Sequence, residues 1–322
     1  MNVSIAMNAT HLVGPPTWHP MQICELAACL IGSVSNLVIA VVLLLDKHLH
    51  TPFTVYLLLL LTSNLLQASV FYPLDIISHL YSHAWWLGER ACDLFNYFIF
   101  VFGGVLMQSH ALITFNRLWA ITFPLSYRNY HSTRVALLLC GGCVAYVHLV
   151  CLPGVVIDAL YYRPPVDRFK LCSLDIGRQF PWAVASEVII YIAPIVFVVG
   201  AYPFLFHKQH QRKGAVHGSK QDSVMDSKVT GAHPARKEHS HGFVVLTLSS
   251  VGIMVSFAPG QIVALLMLAG VGGDLRQASL VTAILALIQP ALDPIFFVLC
   301  LKDLRLAIVR IARSCVDRVL MR

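Results

Sequence analysis

Charge is what this sequence has least of. Only 12% of its 322 residues are Asp, Glu, Lys or Arg, while 57% are hydrophobic. The mean hydropathy is +0.71. A soluble domain carries about a quarter charged residues. A chain with half that share cannot cover a water-facing surface of this size. Nor is it polar enough to stay unfolded in water. The shortage therefore excludes an ordinary soluble enzyme and a disordered protein alike. Cysteine is sparse too. Nine in the chain are too few for a disulfide scaffold. None stands in a paired C-x-x-C or a Cys/His zinc arrangement. Cys140 and Cys143 have C-x-x-C spacing, but inside an apolar run with no second pair. They read as buried thiols, so neither a metal nor a cofactor is expected. No internal repeat is visible, which argues against an inverted-repeat transporter. The first 20 residues hold no basic stretch and no apolar core of sufficient length. No cleavable signal is expected there, and the first apolar run serves as its own signal.

What the sequence has in quantity is long apolar runs. Seven occur, at about 21–45, 53–80, 92–120, 135–157, 181–206, 243–269 and 277–301. Each is longer than the ~20 residues a helix needs to cross ~30 Å of hydrocarbon. Backbone polar groups in lipid must bond within their own segment, so the runs are read as helices. A β-barrel would show short alternating segments instead. The fold class is thus an all-α membrane protein: a bundle of seven transmembrane helices over 21–301, preceded by a tail over 1–20. With the N-terminus outside, 17 of the 23 Lys and Arg fall on the cytoplasmic side and 6 outside. Cytoplasmic loops carry the basic excess, so this orientation is the expected one. The +7 charge is then explained by topology, and no nucleic-acid partner is expected. Asn2 and Asn8 head two glycosylation sequons, useful only on the outer side.

The segment 207–242 is polar, with six His, seven basic and three acidic residues. It reads as a flexible cytoplasmic loop without ligand spacing for a metal. The segment 302–322 is amphipathic. Leu304, Ile308, Ile311, Ala312, Cys315, Val316 and Val319 share one face, opposite Lys302, Asp303, Arg310, Arg313, Asp317 and Arg318. Such a helix lies on membrane lipid rather than across it. Cys315 is either a palmitoylation site or a plain buried thiol.

Motifs within the runs follow a known order. Gly32-Ser-Val-Ser-Asn36 lies in the first run. Thr51-Pro52 opens the second, which holds Asn64. Trp85-Trp86-Leu87-Gly88 precedes Cys92. Asn116-Arg117-Leu118 ends the third run, followed by Pro124-Leu125. Pro194 and Tyr202 lie in the fifth. Phe257-Ala258-Pro259 lies in the sixth and Asp293-Pro294-Ile295-Phe296-Phe297 in the seventh. In these motifs the chain resembles the rhodopsin-like (class A) G protein-coupled receptors, over about 21–315. The family's motif residues are changed at several places. Asn116 replaces the usual Asp before Arg117. Asn64 stands at the helix-2 Asp and Asp293 at the helix-7 Asn. The fourth run has Cys143 or its neighbour in place of the usual Trp. At the foot of the sixth run, His239 beside Glu238 replaces the usual acid.

The resemblance implies a plasma-membrane receptor, not an enzyme, that answers an extracellular ligand and activates a heterotrimeric G protein. It implies a disulfide between Cys92 and Cys172. It places Arg117, Asn116, Tyr202, Pro294, Phe297, Phe257 and Pro259 in the coupling and switch machinery. It places Asn36, Asn64, His110 and Asp293 in a polar core. There the Asn64 and Asp293 types look reciprocally exchanged, and His110 is a candidate to replace a sodium ion. It sets a mostly apolar ligand pocket at Phe95, Ile99, Phe100, Gly103, Glu187, Phe257 and Gln261. Ile99 stands where amine receptors carry an Asp, and 277–301 contains no Lys. Neither a usual amine receptor nor a retinal Schiff base is therefore expected. Peptide, lipid and small-molecule ligands stay open. Glu187 reads equally as a ligand anchor or as a protonated, hydrogen-bonded carboxyl. Asp75 and His79, near the outer end of the second run, read either as contacts for polar ligand groups or, more often for such residues, as solvated rim. Two other classes stay open on the residues: a seven-helix transporter or channel, and a seven-helix binding protein that does not couple.

Overall fold

A computed structural model describes residues 16–81, 84–166, 172–201, 203–205, 207–208, 252, 255–271 and 274–320. The helices are α1 (Pro20–Leu45), α2 (Pro52–Leu80), α3 (Glu89–Thr122), α4 (Pro124–Tyr130), α5 (Thr133–Tyr162), α6 (Phe180–Leu205), α7 (Ala258–Leu268), α8 (Arg276–Cys300) and α9 (Lys302–Leu320). Six of them are long and apolar enough to cross a membrane. The shorter apolar helix α7 lies in the sixth apolar run, of which 252 and 255–269 are described. Asn2, Asn8, Tyr202, Glu238, His239, nearly all of 207–242 and the side chain of Cys315 lie outside them.

Local chemistry sets the helix ends. Pro20, Pro52 and Pro124 stand in the first turns of α1, α2 and α4. There the missing N–H costs no helix bond. The Thr51 side chain accepts from the Thr54 backbone N–H and Ser132 from that of Val135, capping α2 and α5. These caps carry the helices slightly beyond their apolar runs. Four spanning helices contain a π-helical turn, at Gln67–Phe71, Phe98–Phe102, Asp158–Tyr162 and Glu187–Ile192. Such a turn disturbs the regular ladder and leaves carbonyls for other donors.

α1 packs on α2 and α8, α2 on α3 and α5, α3 on α5 and α6, and α7 on α6 and α8. The main core gathers Leu57, Leu60, Leu61, Leu106, Met107, Ile195, Val198 and Phe297. The outward faces are apolar as well: Leu30 is 60%, Leu138 75% and Leu149 77% exposed. Contiguous apolar exposure of this kind needs a non-aqueous solvent. The interior, by contrast, buries Glu25, Asn36, Asn64, Asn116, Asp158, Gln289 and Asp293 completely. The polar groups sit inside the bundle and the apolar ones face out, as lipid requires.

Candidate functional site

Asp293, inside α8, is the hub of a buried polar centre. Asn64 Nδ2 donates to its Oδ2 at 3.0 Å, and Gln289 Nε2 donates to its Oδ1 at 2.7 Å. His110 Nε2 of α3 lies 3.4 Å from the same Oδ2. One carboxyl thus ties α2, α3 and α8 together. A carboxyl carried into the interior needs such donors to offset its lost hydration. Asn36 fastens α1 to the same region, donating to the Pro290 carbonyl at 2.7 Å and the Gly32 carbonyl at 2.8 Å. Pro294, four residues on, has no N–H for the Pro290 carbonyl, which is taken by Asn36 instead. All four expected polar-core residues therefore stand near one another. Gln289 was not expected, although it lies four residues before Asp293 on one helix face. It has room because Gly252 faces it: a Cβ there would stand 2.8 Å from the Gln289 Oε1.

Tyr191 organises the region of the expected ligand pocket. Its hydroxyl donates to the carbonyls of Phe100, at 2.8 Å, and Ile99, at 3.1 Å. Those carbonyls belong to the π-helical turn of α3, and Tyr191 to that of α6. Two irregular turns thus meet through one phenol. α3 comes close here because Gly104 has no side chain. A Cβ on it would lie 2.6 Å from Ile190 and 2.9 Å from Val147. Gly103 lies against the Tyr191 ring, with 3.6 Å from an added Cβ to the hydroxyl. Phe100 packs on Trp182, ring centroids 6.1 Å apart, and Phe95 packs with Trp85 and Val166. Glu187 stands one helical turn from Tyr191 and is half-buried; among the described residues its Oε1 finds no hydrogen-bond donor. Gln261 Oε1, on α7, likewise finds no donor among the described residues. Tyr191 and Trp182 escaped the sequence reading, because only a π-helical turn frees the carbonyls that Tyr191 uses.

The end of the bundle above this region is closed by a disulfide between Cys92, at the start of α3, and Cys172. Arg163, just after α5, pairs with Asp93 and donates to Cys92 Sγ at 3.2 Å. Asp158, fully buried, accepts from the Asp175 backbone N–H at 2.8 Å. The loop carrying Cys172 is therefore anchored on both sides of the disulfide.

At the opposite end, Arg117 finds no carboxylate from its neighbour. Its guanidinium lies over the Phe53 ring, 3.6 Å from the centroid, a cation–π contact. Asn116 turns elsewhere: its Nδ2 donates to His131 Nε2 at 3.0 Å and to the Tyr127 hydroxyl at 3.3 Å. The Tyr56 hydroxyl is also 3.0 Å from His131 Nε2. Tyr127 stacks on His131 at 4.2 Å, and Trp119 meets both rings edge-on. An imidazole nitrogen that accepts from an amide must carry a lone pair, and burial in this aromatic nest pushes the His131 pKa down. Phe297 is buried in the main core, against which Phe257 also packs. Pro259 sits in the first turn of α7 and Pro294 inside α8. Beneath them α9 buries Leu304 and Ala307 against the bundle, with Ile308 and Ile311 beside them. Arg310 pairs with Asp46, which also accepts from the His48 backbone N–H at 3.0 Å. The Arg310 hydrogen bond holds the Asp46 carboxyl below its usual pKa. A groove of about 870 Å³ opens near Trp119, Phe123, Val135, Phe197 and Phe204. None of the expected pocket residues lines it.

Residues 35–297 match the family described as seven-transmembrane receptor (rhodopsin family). The chain is 24% identical to olfactory receptor 1N2 of Homo sapiens over 188 residues, which cover 55% of the chain and 59% of that protein. It is 24% identical to melanopsin of Rattus norvegicus over 286 residues, 87% of the chain and 59% of that protein. It is 25% identical to G-protein coupled receptor 84 of Bos taurus over 209 residues, 63% of the chain and 50% of that protein. The chain thus spans at most about three fifths of these relatives' own lengths.

Proposed function

The chain belongs to the rhodopsin family of seven-transmembrane receptors, and on that footing we propose that it is a ligand-activated receptor coupled to a heterotrimeric G protein. It acts at the plasma membrane with Asn2 and Asn8 outside and 207–242 and 302–322 in the cytoplasm. As in its family, it is a transducer and not an enzyme. Three units divide the chain: the tail 1–20, the bundle 21–301, and the cytoplasmic helix 302–322.

The observation that supports this reading best is the buried contact of Asn64 with Asp293, with His110 beside it. It joins α2 to α8 by a buried hydrogen bond, with His110 of α3 3.4 Å from the same oxygen, and a helix movement would break these contacts. A ligand shifts such a two-state bundle only by binding one state better than the other. The ligand enters near Tyr191, among Ile99, Phe100, Gly103, Glu187 and Gln261. The G protein engages the other end, at Arg117 and Asn116, with Tyr202, Phe257, Pro259, Pro294 and Phe297 transmitting the change. Ile99 and the absence of Lys from 277–301 disfavour a usual amine and a retinal ligand. Asn64, His110, Gln289 and Asp293 gather at one hub rather than lining a path, which disfavours a transporter or channel.

Basal nucleotide exchange in cells, measured against each main G protein class, tests the reading without a ligand. Exchange above the vector control is expected for at least one class, reduced at least about tenfold by Arg117→Ala at equal surface level. No exchange for any class by a surface-expressed receptor would favour a seven-helix binding protein instead.

A further inference from the structure

Glu25, in the second turn of α1, is fully buried, and among the described residues neither of its carboxylate oxygens has a hydrogen-bond donor. A buried carboxylate without a donor is costly to hold, and its position demands a partner of some kind. The group it faces makes matters worse. Asp75 and His79 stand one turn apart on α2, and one ligand atom from each of the three lies within 4.8 Å of the others. Two carboxyls therefore point at the same spot. The nearby Tyr72 hydroxyl does not serve them, since it is directed to the Leu287 carbonyl at 3.4 Å. His79 is held in place: its Nδ1 lies 2.9 Å from the Asp75 carbonyl and 3.5 Å from Asp75 Oδ2.

We propose that Glu25, Asp75 and His79 form a binding site for a divalent cation of the zinc class, between α1 and α2 at the disulfide end of the bundle. The donor set is right for it. Two carboxylates and an imidazole suit zinc, whereas calcium and magnesium demand oxygen ligands throughout. The charges balance: two carboxylates neutralise one divalent ion without a net buried charge. The size is right as well. An ion centred among three atoms no more than 4.8 Å apart lies at most about 2.8 Å from each. Zinc bonds to these groups measure about 2.0–2.2 Å, so side-chain shifts of under about 1 Å complete the site. Asp75 and His79 are each 18% exposed, which gives the ion a route to the buried Glu25. Three protein ligands leave one tetrahedral position for water or for a donor atom brought by a bound molecule.

The test uses the full chain in lipid nanodiscs and reads the thermal midpoint with added zinc or magnesium. Zinc at a hundredfold excess over its dissociation constant raises the midpoint by about 5 °C, and magnesium does not. Glu25→Gln, Asp75→Asn and His79→Asn each abolish the rise. Glu25→Gln leaves the metal-free midpoint unchanged or higher, because it removes the unpartnered carboxylate. Should one variant fail to fold, the other two decide. Two results overturn the proposal. One is a rise that survives in all three variants, which would put the ion elsewhere, such as among the six His of 207–242. The other is a wild-type protein indifferent to zinc but stabilised by acid, which would mean that the two carboxyls share a proton. The measurement needs neither ligand nor G protein, so its outcome is independent of the signalling assay.

Discussion

At the scale of single residues, Asp293 carries the sharpest consequence. Both of its oxygens are engaged: Oδ2 by Asn64, with His110 adjacent, and Oδ1 by Gln289. Asn64→Ala removes one donor and costs about 1–3 kcal/mol, the usual toll for a buried polar group left short of a partner. Asn64→Asp sets two carboxyls face to face and costs more. Exchanging both types, Asn64→Asp with Asp293→Asn, restores the amide–carboxylate contact. It does not restore everything, because an amide at 293 has one oxygen for Gln289 and His110 to share. We therefore expect the double variant to recover signalling and thermal stability beyond either single variant, but short of wild type. A double variant no better than the worse single would disprove the reciprocal pair. Basal signalling is also expected to ignore sodium, because His110 already stands at the carboxyl. Gly252→Ala should mimic Gln289→Leu in the same assays, since the added methyl displaces the Gln289 amide from Asp293.

At the scale of elements, two connections near Arg117 join helices through polar groups. The first is the nest around His131, which links α2, α3, α4 and α5. Burial lowers the His131 pKa below the usual value near 6.5. A more exposed His131 binds more protons than the packed one once pH falls below about 6.5. Acid thus favours opening of the nest, and above that pH the effect vanishes. Thermal midpoints compared between pH 7.5 and 5.5 should fall for wild type and fall less for His131→Gln. A parallel decline in both proteins would exclude this origin. The second connection is the Asp46–Arg310 pair that fastens α9 under α1. Arg310 is 51% exposed, so the pair adds little to stability and acts by orientation. Asp46→Asn should leave expression near normal while loosening α9, seen as faster amide exchange across Lys302–Leu320. Unchanged exchange would mean that Leu304 and Ala307 hold the helix alone.

At the scale of the whole molecule, the Cys92–Cys172 bridge closes a loop of 80 residues. The chain-entropy model assigns such a closure roughly 3–5 kcal/mol. Here Arg163 and Asp158 hold the same loop by other means. Cys172→Ser should therefore lower the thermal midpoint and the surface level without abolishing folding. Cys172→Ser together with Asp158→Asn should do worse than the two effects added, because the anchors then fail together. Strict additivity would show that the two anchors act separately.

The sequence by itself determined the class of molecule. Shortage of charge, runs longer than a bilayer is thick, and the bias of Lys and Arg leave a helical membrane bundle as the reading. Nothing in that reading depends on which helix touches which. Motif order then carried the family, and with it Asn36, Asn64, His110 and Asp293 as a group. Tertiary structure decided what the groups do to one another. Gln289 was legible in principle, by its four-residue spacing to Asp293, but only the gap at Gly252 lets it turn inward. Tyr191 reads as one more apolar residue until a π-helical turn in another helix presents its carbonyls. Asn116 is legible as a replacement for the usual Asp beside Arg117, but only the folded chain brings it to His131 and Tyr127. Glu25 stands among apolar neighbours in a run that reads as plain lipid-facing helix, and Asp75 and His79 read as rim. Spacing along one chain reports which residues share a helix face. It cannot report which face of another helix will lie opposite, because that follows from packing the whole bundle at once.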